Sequence, residues 1–101
     1  MDIKQLTQEM NRLVQAKGWY TPGSRRSQTP RNLAISLSLE AAEILEHFQW
    51  SETLKSKEEL AEELADVALY LLQLASVTDI DLEKAILDKI EINKTREWNQ
   101  E

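Results

Sequence analysis

The stretch Leu33-Ala-Ile-Ser-Leu-Ser-Leu-Glu-Ala-Ala-Glu-Ile-Leu-Glu-His-Phe-Gln-Trp50 decides the fold, because it is apolar on two sides and acidic between them. Plotted as a helix at about 100° per residue, it has a narrow polar stripe between two apolar arcs. The stripe consists of Ser36, Glu40, Glu43 and His47. An ordinary surface helix has one broad polar face opposite the core. Carboxylates flanked by apolar residues on both sides therefore indicate a buried acidic site that needs a cationic partner.

A second acidic pair, Glu63 and Asp66, lies in the next apolar segment and falls on the edge of its apolar arc. Four such carboxylates in a chain without cysteine favour a hard cation, Mg²⁺ or Mn²⁺, over a softer metal. The pattern alone leaves a second interpretation open, in which the acids form buried ion pairs with Lys89 or Arg96.

Length and composition limit the possible classes of protein. A chain of 101 residues with 42% hydrophobic residues predicts one domain, residues 1–101. The absence of cysteine excludes disulfide and zinc-thiolate scaffolds. No apolar run is long enough to span a bilayer and the first residues do not resemble a signal peptide, so we expect a cytoplasmic protein without a membrane partner. The net charge of −6 weighs against nucleic-acid binding.

Apolar spacing and capping residues predict an all-α fold of four helices. The first helix stops at Gly18, and a loop with Pro22-Gly23 as its turn follows. Thr29, Ser56 and Asp81 are the candidate N-caps of the other three helices. The predicted helices span about residues 2–17, 30–50, 57–77 and 82–97.

Positively charged and amide residues occur where the fourth helix is otherwise apolar. They are Lys89, Asn93 and Arg96. The arginines before and at the start of the second helix are Arg25, Arg26 and Arg31. Carboxylates for a metal, together with cations for phosphate, are the components of a phosphoryl-transfer site. The single histidine, His47, is expected beside the metal ligands rather than among them, since a di-iron bundle would need Glu-x-x-His on two helices.

Two segments carry a family resemblance when they are taken together with Lys89-x-x-x-Asn93. They are Leu39-Glu-Ala-Ala-Glu-Ile-Leu-Glu-His-Phe-Gln-Trp50 and Glu62-Glu-Leu-Ala-Asp-Val-Ala-Leu-Tyr-Leu-Leu72. In this order they resemble the MazG-like all-α nucleoside triphosphate pyrophosphohydrolases. The resemblance covers residues 5–95 and is strongest to the small single-domain branch that includes the dCTP pyrophosphatases.

The resemblance implies an enzyme that uses Mg²⁺, with Mn²⁺ as a substitute, to hydrolyse a nucleoside triphosphate to the monophosphate and pyrophosphate. It implies that the metal ligands and catalytic residues are Glu40, Glu43, Glu63 and Asp66. The substrate-binding residues expected are Lys89 and Asn93 for the triphosphate and sugar, Trp50, Tyr70 and Trp19 (or Tyr20) around the base, and Arg31.

The resemblance also implies an assembly of at least a homodimer, with a dimer of dimers favoured. A short four-helix chain leaves much apolar surface to be covered, which agrees with this expectation. The expected substrate is dCTP or a modified pyrimidine nucleotide, in nucleotide-pool house-cleaning. The alternatives are a non-catalytic helical interaction module and a protein that senses a nucleotide without hydrolysing it.

Overall fold

The computed structural model describes residues 1–19, 23 and 27–96. All regular structure in those residues is helical, as predicted. The helices are α1 (Ile3–Ala16), α2 (Pro30–Glu46), α3 (Lys57–Val77) and α4 (Leu82–Thr95). None of them combines the length and the apolarity that crossing a bilayer requires. The predictions for Tyr20, Pro22, Arg25, Arg26 and residue 97 lie outside the described residues.

The predicted N-caps open their helices by accepting backbone N–H groups that would otherwise have no partner. Thr29 Oγ1 accepts from Asn32 N at 3.1 Å, and Asp81 Oδ1 accepts from Lys84 N at 3.1 Å. Ser56 Oγ accepts from the next turn of α3 at 3.2 Å. The starts of α2, α3 and α4 are therefore set by local sequence.

The predicted end of α2, at about Trp50, is wrong. The helix ends at Glu46. The N–H groups of His47 and Phe48 bond carbonyls only three residues back, at 3.2 and 2.9 Å. Such bonds tighten the last turn and end the α-helix. Residues 47–50 consequently form a turn and bend, which leaves the Trp50 side chain 89% exposed in the single chain.

The helices α1 and α3 both end at a residue in the left-handed region, Gly18 with φ 72° and Asp79 with φ 58°. At each end, the N–H of the residue that follows donates a hydrogen bond to a carbonyl five residues back. Trp19 N donates to the Val14 carbonyl at 3.1 Å, and Ile80 N donates to that of Ala75 at 2.8 Å. This Schellman geometry fixes the direction in which the chain, and with it Trp19, leaves α1.

The central helix is α3, which packs against α2 on one side and α1 on the other, while α4 packs against α1. Few apolar side chains are buried in this arrangement. In the described part of the chain they are Met10, Val14, Leu33, Leu72 and Ala75. The radius of gyration is 16.3 Å, compared with about 13 Å for a compact domain of this length. One chain is thus an open arrangement of helices with a small core.

Candidate active site

Helices α2 and α3 run antiparallel and meet along a seam of polar side chains, hereafter the polar seam. Its residues recur at three- and four-residue spacing, so they lie on one face of each helix. From α2 it takes Asn32, Ser36, Glu40, Glu43 and His47; from α3, in reverse chain order, it takes Gln73, Tyr70, Asp66, Glu63 and Glu59. The polar stripe predicted on α2 therefore faces a matching stripe on α3.

The middle of the seam is strongly negative around Glu40. Burial raises the pKa of the Glu40 carboxyl above its ordinary value. A hydrogen bond with Glu43 and its charge raise that pKa further, followed by the charges of Asp66 and Glu63. Glu40 Oε2 is buried and has no hydrogen-bond partner among the described residues. The structure thus brings Glu43, Glu63 and Asp66 within electrostatic range of Glu40, one of whose oxygens lacks a donor among the described residues.

One end of the seam opens into a cavity of about 310 Å³, hereafter the carboxylate cavity. Its lining residues are Glu43, Glu46, His47, Trp50, Ser51, Lys55, Ser56, Glu59 and Glu63. His47 Nε2 lies 2.5 Å from Glu63 Oε2, and the two side chains are 11% and 25% exposed. His47 therefore contacts one of the predicted metal ligands.

The chemistry of the carboxylates, rather than their present arrangement, fits a divalent cation. Within residues 1–19, 23 and 27–96, no three histidine, aspartate or glutamate side chains already form a group that could hold a metal ion. The donor chemistry nevertheless fits a hard cation, because every donor is a carboxylate oxygen and the buried Glu40 Oε2 lacks a partner. Glu43 and Asp66 are exposed, so rotation of their side chains towards Glu40 would complete a ligand set.

The other end of the seam opens into a second cavity of about 250 Å³, hereafter the aromatic cavity. Two of the predicted aromatic residues, Trp19 and Tyr70, line it. The other lining residues are Ser27, Gln28, Asn32, Ser36 and Gln73. Ser36 lies seven residues before Glu43, which is about 10 Å along a helix. The aromatic and carboxylate cavities thus lie on the same seam, with lining residues about 10 Å apart along α2.

Other predicted substrate residues lie away from these cavities. Trp50 lines the carboxylate cavity and does not share the aromatic cavity with Tyr70. Arg31 is exposed at the start of α2 and lines a shallow apolar groove. On α4, Lys89 is exposed, and Asn93 is half-buried with Oδ1 unpartnered in the described part of the chain. Neither α4 residue lines the carboxylate cavity.

The ion-pair interpretation of the acids receives no support from Lys89 within one chain. Lys89 makes no ion pair with another described residue. At the seam, Glu63 is instead in contact with the imidazole of His47. Lys89 therefore does not balance the excess negative charge around Glu40 within one chain.

Sequence reasoning missed several residues that line the cavities. Lys55 lies in the link before α3, where no periodic pattern marks it, yet it places a cation on the wall of the cavity that Glu43 and Glu63 also line. Gln73 did carry a signal, because it interrupts the apolar run after Asp66 and falls on the same helical face as Tyr70.

The match to known proteins agrees with this geometry. A sequence model described as the MazG-like family matches residues 35–101, which include both acid pairs. The chain belongs to the MazG-like family. A solved structure, a pyrophosphatase from Archaeoglobus fulgidus, is 34% identical and superposes with a TM-score of 0.74. The match covers 96% of this chain and 93% of that one.

Among curated MazG-like relatives, dCTP pyrophosphatase 1 of Rattus norvegicus is 37% identical over 76 residues, and that of Homo sapiens is 38% identical over 76 residues. Each match covers 66% of this chain and 45% of the relative. The chain thus spans just under half the length of these relatives. The sequence-based recognition of the family is confirmed.

Proposed function

We propose that this MazG-like protein hydrolyses a nucleoside triphosphate between the α and β phosphorus, releasing a nucleoside monophosphate and pyrophosphate. The observation that carries the proposal is the polar seam, with its four carboxylates around the unpartnered Glu40 Oε2. The names of the relatives, pyrophosphatase and dCTP pyrophosphatase 1, support the same reaction class.

The spacing of the two cavities supports one orientation of the substrate. The aromatic cavity is lined by two flat side chains, Trp19 and Tyr70, which suit stacking on a base. About 10 Å along the seam, the carboxylate cavity offers Glu43 and Glu63 together with one cation, Lys55. The base would occupy the first cavity and the phosphates the second.

The acids of the seam would hold a divalent cation, for which we propose Mg²⁺ with Mn²⁺ as a substitute. MazG-like pyrophosphatases are generally metal-dependent, and the ligands would come from Glu40, Glu43, Glu63 and Asp66. A cation there would supply positive charge against the negative charge that grows on the departing pyrophosphate. His47 would keep Glu63 oriented through their 2.5 Å contact.

The remaining steps use groups of the chain itself. Glu43 is exposed in the carboxylate cavity, where it would orient the attacking water or accept its proton, with Glu40 as the alternative. The water oxygen bonds to the α phosphorus as the bond from that phosphorus to the bridging oxygen breaks, and pyrophosphate leaves. Lys55 would contact the outer phosphates.

A second copy of the chain would complete the molecule, as at least a homodimer and in the favoured case a homotetramer. Large apolar side chains on the outer faces of α2, α3 and α4 are exposed in one chain, including Leu39 at 65%, Leu64 at 51% and Ile90 at 46%. Their burial against a copy would offset the small core. Within one chain, Lys89 and Asn93 of α4 line neither the carboxylate cavity nor the aromatic cavity. Contact with a second copy would bring them close enough to bind the phosphates.

The deciding experiment is a panel of canonical and modified ribo- and deoxynucleoside triphosphates with Mg²⁺, scored for monophosphate and pyrophosphate rather than for phosphate. We expect pyrophosphate from at least one pyrimidine deoxynucleotide, with dCTP the leading candidate. Release of single phosphates would contradict the reaction. A Mg²⁺-dependent rise in Tm with nucleotide but without turnover would instead identify a sensor, and no rise at all would leave an interaction module.

A further inference from the structure

A buried amide marks the inner wall of the aromatic cavity. Gln73 is 5% exposed and lies on the seam face of α3, between Leu72 and Leu74 in the sequence. Its Nε2 donates a hydrogen bond to Oε1 of Gln28, which precedes α2. A glutamine amide is costly to bury unless its groups are used. The pairing of the two amides across 45 residues of sequence couples the orientation of Gln73 to that of Gln28.

The cavity is large enough to receive a flat heterocycle. Its volume of about 250 Å³ lies just below the range of roughly 300–1,000 Å³ that pockets for drug-sized ligands occupy. Trp19 and Tyr70 line it, and Gln73 and Gln28 line it as well. A single heterocycle between such walls would present its polar edge to an amide.

We propose that the Gln28–Gln73 amide pair selects cytosine over uracil, by favouring a base edge with an amino group beside an unprotonated ring nitrogen, an edge that adenine shares. This inference rests on the proposed function, in that the aromatic cavity receives the base. Gln73 Oε1 would accept a hydrogen bond from the exocyclic amino group. The second N–H of Gln73 Nε2, beyond the one given to Gln28, would donate to the ring nitrogen.

The bond to Gln28 is what gives this contact its selectivity. A glutamine free to turn over serves cytosine and uracil equally, because it exchanges its donor and its acceptor. If Gln73 alone turned over here, its Oε1 would face the Oε1 of Gln28, so two acceptors would meet and the bond would be lost. An exchange of donor and acceptor at Gln73 therefore requires both amides to turn over together. Uracil presents a carbonyl and a ring N–H in the places of the amino group and ring nitrogen of cytosine. It would therefore leave both pairs mismatched.

The expected discrimination follows from the contact. A good two-bond contact between a side chain and a base is worth about 1–3 kcal/mol against the wrong base, which corresponds to roughly 5- to 150-fold in affinity. We therefore expect the wild-type protein to bind the cytosine analogue at least about fivefold more tightly than the uracil analogue.

The test measures binding of the α,β-imido analogues of dCTP and dUTP, which resist cleavage, by calorimetry in the presence of Mg²⁺. The variants are Gln73→Met, which keeps the length of the side chain but removes both polar groups, and Gln28→Met, which breaks the pair from outside the core. Gln15→Met, at an exposed position on α1, is the matched control. We expect both pair variants to reduce the preference to less than threefold and the control to keep it.

Gln28→Met provides the answer if Gln73→Met does not fold, because Gln28 is only half-buried. Equal binding of the two analogues by the wild-type protein overturns the inference, as does a preference that survives Gln28→Met. Turnover of dCTP and dUTP by the wild-type protein is measured in parallel. A preference in binding without hydrolysis would refute the proposed function but not the base selection, and hydrolysis without preference would do the reverse.

Discussion

The exposed apolar face of α2 allows a quantitative test of assembly, with Leu39→Glu as the perturbation. Leu39 is 65% exposed in the single chain and lines a shallow apolar groove with Ala34 and Ile35. Complete burial of a leucine side chain is worth about 1.5–3 kcal/mol. Covering the exposed fraction of Leu39 would therefore contribute about 1–2 kcal/mol per chain, and about twice that in a two-fold dimer, where the residue occurs twice.

The glutamate variant loses this contribution and in addition places two carboxylates in a dry contact. The cost of each buried charge is several kcal/mol. Together these terms exceed about 5 kcal/mol, and since each 1.4 kcal/mol is tenfold, the dimer dissociation constant should weaken by more than about 10³-fold.

Analytical ultracentrifugation across a concentration series measures this change directly. Leu39→Met, which keeps an apolar side chain of similar volume, is the control and should remain associated. A monomeric wild-type protein with full activity would refute the reasoning. A Leu39→Glu variant that associates as tightly as the wild-type protein would also refute it, because Leu39 would then lie outside the interface between copies.

Three other substitutions test separate parts of the site. Glu43→Ala should lower turnover at least about 10²-fold with the fold preserved, because it removes a main electrostatic element, whereas the exposed control Glu62→Ala should not; equal losses would remove Glu43 from the site. Lys89→Ala should raise KM and lower kcat/KM at unchanged Tm, since Lys89 has no ion pair to lose in the described chain; a sharp fall in Tm with unchanged KM would contradict this. Glu40→Gln should raise the Tm of the cation-free protein and reduce the further rise given by Mg²⁺, as followed by calorimetry. The pKa of Glu40 is raised by burial and by its acidic neighbours, so the ionised form of this carboxyl destabilises the folded state. The Tm difference between Glu40→Gln and the cation-free wild-type protein should therefore shrink as the pH falls from neutral and Glu40 becomes protonated. A Tm difference that does not change with pH would show that folding does not raise the pKa of Glu40.

The helices could be predicted from the sequence because their signals are local. Thr29, Ser56 and Asp81 accept N–H groups within three residues of themselves, so no distant contact is needed to read them. The end of α2 differed because the apolar pattern continues to Trp50 although the backbone tightens at His47. Periodicity records which side chains favour burial, not where the backbone hydrogen bonds change.

The candidate site was predictable in its acids but not in its arrangement. The polar stripe on α2 identified Glu40 and Glu43, yet the pairing of His47 with Glu63 depends on the antiparallel register of two helices. The burial expected around Lys89 is not found within one chain, where α4 has no buried residue. The apolar arc of α4 predicts burial against another surface, and a single chain does not supply that surface.

The corner between α3 and α4 has a consequence for engineering the protein. After α1 a glycine takes up the left-handed conformation, but after α3 an aspartate does so, at a steric cost of about 1–2 kcal/mol for a residue with a β-carbon. Asp79 lies at the opposite end of α3 from Glu63, so exchanging it for glycine would leave the chemistry untouched. Relief of part of that cost would raise the Tm of the protein. Because residue 79 sets the angle between α3 and α4, substitutions there could also make the direction of α4 more or less variable.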